Sequence, residues 1–391
     1  SGLYAMKEKP FSDVLIHGIV RDSQGRKMSK TLGNGVDPIE VIEQYGADSM
    51  RFSVLSGTTM GNDIRYMPEK LEQASNFANK IWNAAKFIIM NRPDEKEIIK
   101  FVQENFDGKT YKDGALKLED KWILNKFDKL VVEVSKNIDN YDLGIALDKI
   151  YSFIWNEFCD WYIEMVKPRI YSEDENVKVA VSSILNYIFS SSLKLLHPFM
   201  PFVTSEIYSK LINSEDADLM VSKWPTIKEE FEFDKEENFV EKLKKLVIEI
   251  RNVRTKMNVH PSKKSKLILV TDNFEKEIEE AKDFLTKLGF ASEIKVQDNL
   301  EGIDEKAISI VVDDIKVFIP FEDLVDIKEE IIRLENEKKR LEGEVLRGEK
   351  MLSNPGFISK APETKVAEEK AKLENYKEML KAVEERLNSL K

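Results

Sequence analysis

Along residues 71–90, apolar side chains recur every three or four positions, at Leu71, Phe77, Ile81, Ala84, Ala85 and Ile88. That spacing predicts one amphipathic helix, closed by Asn91, Arg92 and Pro93. The same period returns over 120–135, 142–165, 175–195 and 205–211, and five such segments predict a helical bundle. Between the first two, residues 94–115 are polar and carry glycine, and are expected to be a loop. The run "HPFMPF" (197–202) breaks the last two helices, because proline neither donates the helical hydrogen bond nor fits the preceding turn.

Elsewhere the texture differs. Residues 11–20, "FSDVLIHGIV", are short and β-rich and predict one strand. The polar turn "RDSQG" follows, then "GRKMSKTLGNGVDP" (25–38), too polar and flexible for core. Asp37 and Pro38 supply an N-cap and a first-turn proline, so a short helix starts there and closes at Gly46, with another beginning near Asp48. A helix over 238–254 precedes strands at 266–271, 292–297, 307–314 and 315–320, with a helix over 275–288 among them. These predict a small α/β domain ending near Phe321. From Asp326 a heptad seam runs through Ile327, Ile331, Leu334, Leu341, Val345 and Leu352, weakened at Lys338 and Gly348. A second seam takes Val366, Leu373, Tyr376, Leu380, Val383, Leu387 and Leu390. The breaker "SNPGFISKAPE" (353–363) lies between them, which predicts an antiparallel coiled-coil hairpin.

Composition narrows the class. The chain has 391 residues, 42% hydrophobic, enough for several cores. No run approaches ~18 uninterrupted apolar residues, and a secretory leader is not expected. A single cysteine, Cys159, and three histidines argue against a disulfide and against a zinc site. A cytoplasmic setting is expected. The net charge of −11 speaks against a sequence-blind nucleic-acid coat, although local basic patches on an acidic surface suit a reader of one folded RNA.

The chemistry concentrates at 27–31. Lys27 and Lys30, on a glycine-flanked loop beside a parallel-type strand, suit a polyphosphate, because ammonium groups stabilise charge that grows on phosphoryl oxygens. Ser29 and Thr31 add hydroxyl donors. A solvated basic turn has the same composition.

The run "HGIVRDSQGRKMSKTLGNGVDPIEVIEQYGADSMRF" resembles the signature-loop region of class I aminoacyl-tRNA synthetases, with Thr31 where that family usually has serine. "RFSVLSGTTMGNDIRY", "ANKIWNAAKFIIMN", "LHPFMPFVTSEIY", "IRNVRTKMNVHPSKK" and "SNPGFISKAP" resemble the valine branch. The resemblance implies a mainly α chain in four parts. These are the end of a Rossmann-type catalytic domain with its signature loop (1–66), a helical anticodon-binding bundle (67–235), a small α/β domain (236–325) and a coiled-coil tRNA-binding arm (326–391).

It further implies that Lys27, Met28, Ser29, Lys30 and Thr31 contact ATP, taken with Mg as substrate, and that Lys27 and Lys30 stabilise the transition state of valine activation. No tightly bound cofactor is implied. The partners implied are tRNA(Val), ATP and valine, and a monomer is expected. The family's His-x-Gly-His motif is missing, since His17, His197 and His260 stand alone, as are the valine pocket and the editing domain. The chain therefore reads as a carboxy-terminal fragment of a ligase, unable to activate valine alone.

Unpaired bases are read by stacking and by hydrogen bonds to their edges, which Trp82, Asn83, Lys86, Asn91 and Arg169 could supply. Trp82 is at core spacing as well, and Trp155, Trp161 and Tyr162 are expected in the core, with Cys159 a buried small hydrophobe. His197, before proline, reads as a turn residue. Arg251, Arg254, Lys256, Lys263, Lys264 and Lys266 form the densest cationic run. On the hairpin, Lys338, Lys339, Arg340, Arg347, Lys350 and Lys360 could touch phosphates without reading sequence. Two other classes stay open: a non-enzymatic coiled-coil scaffold, and a standalone tRNA-binding module.

Overall fold

The computed structural model describes residues 2–105, 114–212, 218–227, 232–324, 327–354, 356 and 362–390. In chain order the elements are α1 (Gly2–Met6), β1 (Val20–Arg21), α2 (Pro38–Tyr45), α3 (Ala47–Leu55), β2 (Ile64–Arg65), α4 (Pro68–Met90), α5 (Glu95–Asn105), α6 (Leu118–Asp139), α7 (Leu143–Ser152), a π-helical segment (Phe153–Tyr162), α8 (Ile163–Ile170), α9 (Glu175–Leu196), α10 (Pro201–Ile212) and a 3₁₀ turn (Leu219–Val221). Then follow α11 (Asp234–Lys256), β3 (Ser265–Val270), α12 (Glu275–Glu280), α13 (Lys282–Leu288), β4 (Ala291–Gln297), β5 (Ile308–Val312), β6 (Ile315–Ile319), α14 (Phe321–Leu324), α15 (Ile327–Leu352) and α16 (Glu363–Leu390). The chain is mainly helical. It divides into two compact units, one holding Ser1–Lys245 with Phe274–Leu288, the other Leu246–Asn273 with Gly289–Lys391.

The first unit is a helical bundle with the loop region attached. α4 begins at Pro68, and Leu71, Ala74, Phe77, Ile81, Ala84, Ala85 and Ile88 are all buried, the face its periodicity predicts. α9 is long and apolar enough to cross a membrane, but it is the core helix of this bundle, buried along Val179–Leu185 and Ile188–Leu196 at nearly every position. α2 starts as expected, with the Asp37 carboxylate accepting from Ile39 N and Pro38 following. Two anchors join α3 to the corner at 197–202. The Asp48 carboxylate accepts from Phe202 N and Val203 N, at 3.2 and 2.6 Å. Arg51 donates to the carbonyls of Phe199 and Pro198, at 3.1 and 2.8 Å.

Three expectations need correction here. Residues 94–115 are not all loop, because Asp94 caps Lys96 N at 2.8 Å and starts α5, whose Ile98 is buried; residues 106–113 lie outside the described residues. The strand expected over 11–20 is a strand only at Val20–Arg21, paired in parallel with Ile64–Arg65. Phe11, Val14, Leu15 and Ile16 are exposed, and β-rich composition makes no ladder without a neighbouring strand. The helix expected over 142–165 runs on to Ile170 and contains a π-helical stretch, in which Ile163 N donates to Phe158 O five residues back.

In the second unit the sheet order is β4-β3-β6-β5, with β3 and β4 parallel and the other pairs antiparallel. Leu267, Leu269, Ile294, Ile310, Ile315, Val317 and Ile319 share one face by register and are buried. The helix expected over 275–288, which belongs to the first unit, is two, α12 and α13, separated at Ala281, and Ile278, Phe284, Leu285 and Leu288 all reach buried positions. α15 and α16 lie side by side and antiparallel. Lys338 pairs with Glu384 and Lys377 with Glu349, both at 2.8 Å, so positions advance along one helix as they recede along the other. Leu334, Leu341 and Leu387 are buried on this seam, and at Gly348 an added Cβ would come within 3.1 Å of the Leu373 side chain. Most of the breaker falls outside the described residues.

Candidate functional site

The loop at 25–38 stands on a rigid base. Arg21 and Lys27 form an antiparallel bridge, and Asp22 N donates to Arg26 O at 3.0 Å, which closes a tight turn at Gly25. The buried Asp22 carboxylate accepts from Gln24 N, Arg26 N, Arg26 Nε and Asn34 Nδ2, at 3.1, 2.7, 2.7 and 2.9 Å. The Asn34 bond above all, with those from Arg26, holds the Asp22 carboxyl down to about 2. Asn34 in turn accepts from Ser29 N at 3.0 Å and donates to Lys27 O at 3.3 Å. Ser29 Oγ accepts from Leu32 N at 3.2 Å. Lys27, Lys30 and Thr31 project into solvent, and Met28 and Ser29 are half-buried.

The strand under the loop is pinned by Asp63, which accepts from Ile19 N at 2.9 Å and from Arg21 Nε at 2.5 Å. Those bonds hold its carboxyl below the usual range. Gly18 lies so close to the 62–63 backbone that an added Cβ would fall 1.9 Å from Asn62 O. This pinning is what fixes the direction in which the loop leaves β1.

On the bundle, Asn83 and Lys86 are exposed on α4 and Trp82 is half-buried. Asn91 caps α4, donating through Nδ2 to Phe87 O at 2.8 Å. Arg169 departs from its expected role as an RNA contact. Its guanidinium donates to Glu119 at 2.7 Å and to both Asp120 oxygens at 2.8 and 2.9 Å, while Tyr162 donates to Asp120 at 2.7 Å. Asp120 is fully buried and Arg169 nearly so. Burial raises the Glu119 carboxyl to about 6 against the pull of Arg169. A cation committed to two buried carboxylates is structural, because removing it leaves uncompensated charge.

Tyr162 is core as expected, but Trp155, Trp161 and Cys159 are only half-buried. Trp155 stacks on Tyr151, with Lys80 Nζ 3.8 Å from its ring centre. Burial pushes the Cys159 thiol up to about 12. His197 is more than a turn residue. It is buried at the end of α9, with Nδ1 2.9 Å from Thr204 Oγ1.

In the second unit Arg254 also departs from expectation. It is 4% exposed, donates to Ser265 Oγ and to the carbonyls of His260 and Lys263, and stacks 4.7 Å from the Phe290 ring centre. It ties the 256–264 turn to the sheet. Arg251 and Lys264 are exposed beside it, and Lys263 donates to Glu322 O at 3.3 Å. On α15, Lys339 is exposed, Arg340 pairs with Glu337 at 2.7 Å and Arg347 with Glu344 at 3.5 Å.

Three family models match parts of the chain. Residues 1–67 match tRNA synthetases class I (I, L, M and V), residues 120–269 match the anticodon-binding domain of tRNA ligase, and residues 326–391 match the valyl tRNA synthetase tRNA binding arm. The valine–tRNA ligase of Clostridium perfringens is 48% identical over 398 residues, which take in 100% of this chain and 43% of that protein. The chain matches the carboxy-terminal part of valine–tRNA ligases. The ligases of Clostridium acetobutylicum, at 47%, and Bacillus subtilis, at 40%, align over the same span. In each case the chain covers all of itself and 43% of the relative. Membership in this family accounts for the loop, the bundle and the paired helices in one chain.

Sequence reasoning missed the Asp22–Asn34 and Arg21–Asp63 anchors. Their only trace was local: an aspartate after the strand, and the "GND" stretch forty residues on.

Proposed function

We propose that this chain is the part of a valine–tRNA ligase that carries the signature loop and holds tRNA(Val). The whole enzyme joins valine to ATP, taken with Mg, and passes the valyl group to tRNA(Val). In the first step a valine carboxylate oxygen attacks the α-phosphorus, and the bond to the leaving pyrophosphate breaks. Lys27 and Lys30 stabilise the charge gathering on the departing oxygens. Met28, Ser29 and Thr31 seat the nucleotide. The observation that carries this reading is the disposition of the loop, with both ammonium groups in solvent on a base fixed by Asp22 and Asn34.

Residues 1–66 are the end of a nucleotide-binding domain and 67–235 the anticodon-binding bundle, where Trp82, Asn83, Lys86 and Asn91 face the anticodon loop. The α/β part spans 236–325. The paired α15 and α16 act as a coiled-coil arm over 326–391, placing Lys339, Arg340 and Arg347 against phosphates, with Arg251, Lys263 and Lys264 doing the same from the cationic turn. Ion pairs between α15 and α16 of one chain favour a self-closed arm and a monomer over a scaffold that pairs with another chain. A cytoplasmic translation enzyme follows.

Titration of fluorescent tRNA(Val) with this chain tests the reading. Binding tighter than to a non-cognate tRNA, and weakening as salt rises, is the expected result. Equal affinity for both RNAs would sink it.

A further inference from the structure

The sheet of the second unit has a second face. By register it carries Lys295 of β4, Ile268 of β3, Phe318 of β6 and Ser309 of β5 in one row, and Gln297, Val270, Lys316 and Val311 in the next. A third row adds Glu293 and Lys266, which pair at 2.9 Å. The opposite face is apolar and mostly buried, with Val296 and Ile308 half-buried, whereas here Lys295, Lys316, Ser309 and Val311 are exposed, Phe318 is half-buried, and only Ile268 and Val270 are buried. Val311, at 62% exposed, is an apolar side chain that the fold leaves uncovered.

We propose that this face is an RNA contact surface, on which Lys295, Lys316 and Lys266 hold phosphates and Phe318 with Val311 supports a sugar or base. The inference rests on the reading of the chain as a tRNA binder and assigns residues to it that the helical parts do not supply. Charge argues for RNA over an acidic partner surface. The face carries three lysines against one glutamate in a chain of net charge −11. Asp313 and Asp314, in the β5–β6 turn, bound it at one end. Continuity argues the same way, since Lys263, Lys264 and Lys266 lead from the cationic turn directly onto β3. The geometry suits a strand of nucleic acid. Four strands at ~4.8 Å spacing make a row of roughly 14 Å with a cation at one side and an aromatic ring near its centre. Aromatic rings on an open sheet face accept bases of any sequence, with flanking cations tracking the backbone.

The test uses the full 391-residue chain, a transcript of tRNA(Val), and fluorescence anisotropy at several salt concentrations. The double variant Lys295→Glu/Lys316→Glu is expected to lose affinity by about tenfold and to reduce the salt slope by about 2. A control pair, Lys100→Glu/Lys235→Glu, changes charge equally on exposed helices of the first unit and is expected to lose about twofold or less. Phe318→Leu keeps an apolar side chain over Ile268 and is expected to weaken binding about fivefold while leaving the salt slope alone. If the wild-type chain binds and the sheet variants match the control pair, the face is not an RNA surface and the proposal falls alone. If the wild-type chain fails to bind the transcript, the tRNA reading falls and takes the proposal with it.

Discussion

The Asn34 side-chain amide donates to the Asp22 carboxylate at 2.9 Å across twelve residues, and its own carbonyl oxygen receives the Ser29 amide at 3.0 Å. One asparagine thus holds the base and the middle of the lysine loop together. Asn34→Ala is expected to free the loop, so that trypsin cuts after Lys27 and Lys30 several-fold faster at pH 7 with the melting temperature of the bundle unchanged. The Asp22 carboxyl lies below its ordinary 3.8, at about 2, so the contribution of its ionised form to stability is complete above pH ~4 and is lost as pH falls toward 2. Proteolysis by an acid-active protease should therefore rise only in that window.

Arg169→Met is expected to destabilise the first unit by about 3–5 kcal/mol, because it strands the buried Asp120 and Glu119 charges. Urea unfolding reads the loss. Affinity for tRNA(Val), measured below the unfolding transition, should not move; a selective loss of RNA binding at full stability would restore Arg169 to the RNA surface.

Glu119 supplies a pH signature of its own. Its carboxyl is raised from 4.5 to about 6, so the folded state binds the proton more tightly than the unfolded chain does. Stability should then decline as pH rises from 4.5 through 6, and Glu119→Gln should flatten that segment of the stability profile.

Gly18→Ala forces a Cβ to within 1.9 Å of Asn62 O, against backbone that cannot give way cheaply. A loss of about 1–3 kcal/mol is expected, together with weakened β1–β2 pairing. Hydrogen exchange at Ile64 N and Tyr66 N, which donate to Ile19 O and Arg21 O, reports it directly.

The exposed lysines offer a complementary test. Lys27→Ala/Lys30→Ala should leave the melting temperature within about 1 °C of wild type, since neither side chain packs against the core. The 391-residue chain by itself is expected to show no valine-dependent pyrophosphate exchange.

Long periodic helices were legible because burial alone sets their spacing: α4 buries the residues its 3.6-residue period selects. The Asp37–Pro38 start was legible because capping is local. α5 was read as loop because five of its eleven residues are charged and only Ile98 is buried, although Asp94 after Pro93 was a readable cap. The fates of Arg169 and Arg254 were not legible. A cation near a suspected RNA surface looks the same in sequence whether it faces phosphate or folds back on Glu119, Asp120 or the carbonyls of a turn. The lysine loop itself was readable, but the Asp22–Asn34 and Arg21–Asp63 contacts that aim it join distant residues, and only the fold brings them together.

The clamp of Asp48 and Arg51 on residues 198–203 gives the doubly prolyl corner an unexpected mechanical character. A carboxylate grips the amides on one side of the bend while a guanidinium grips the carbonyls on the other, so the corner works as a brace and not as a swivel. The start of α10 cannot turn away from α3 without breaking these four hydrogen bonds together.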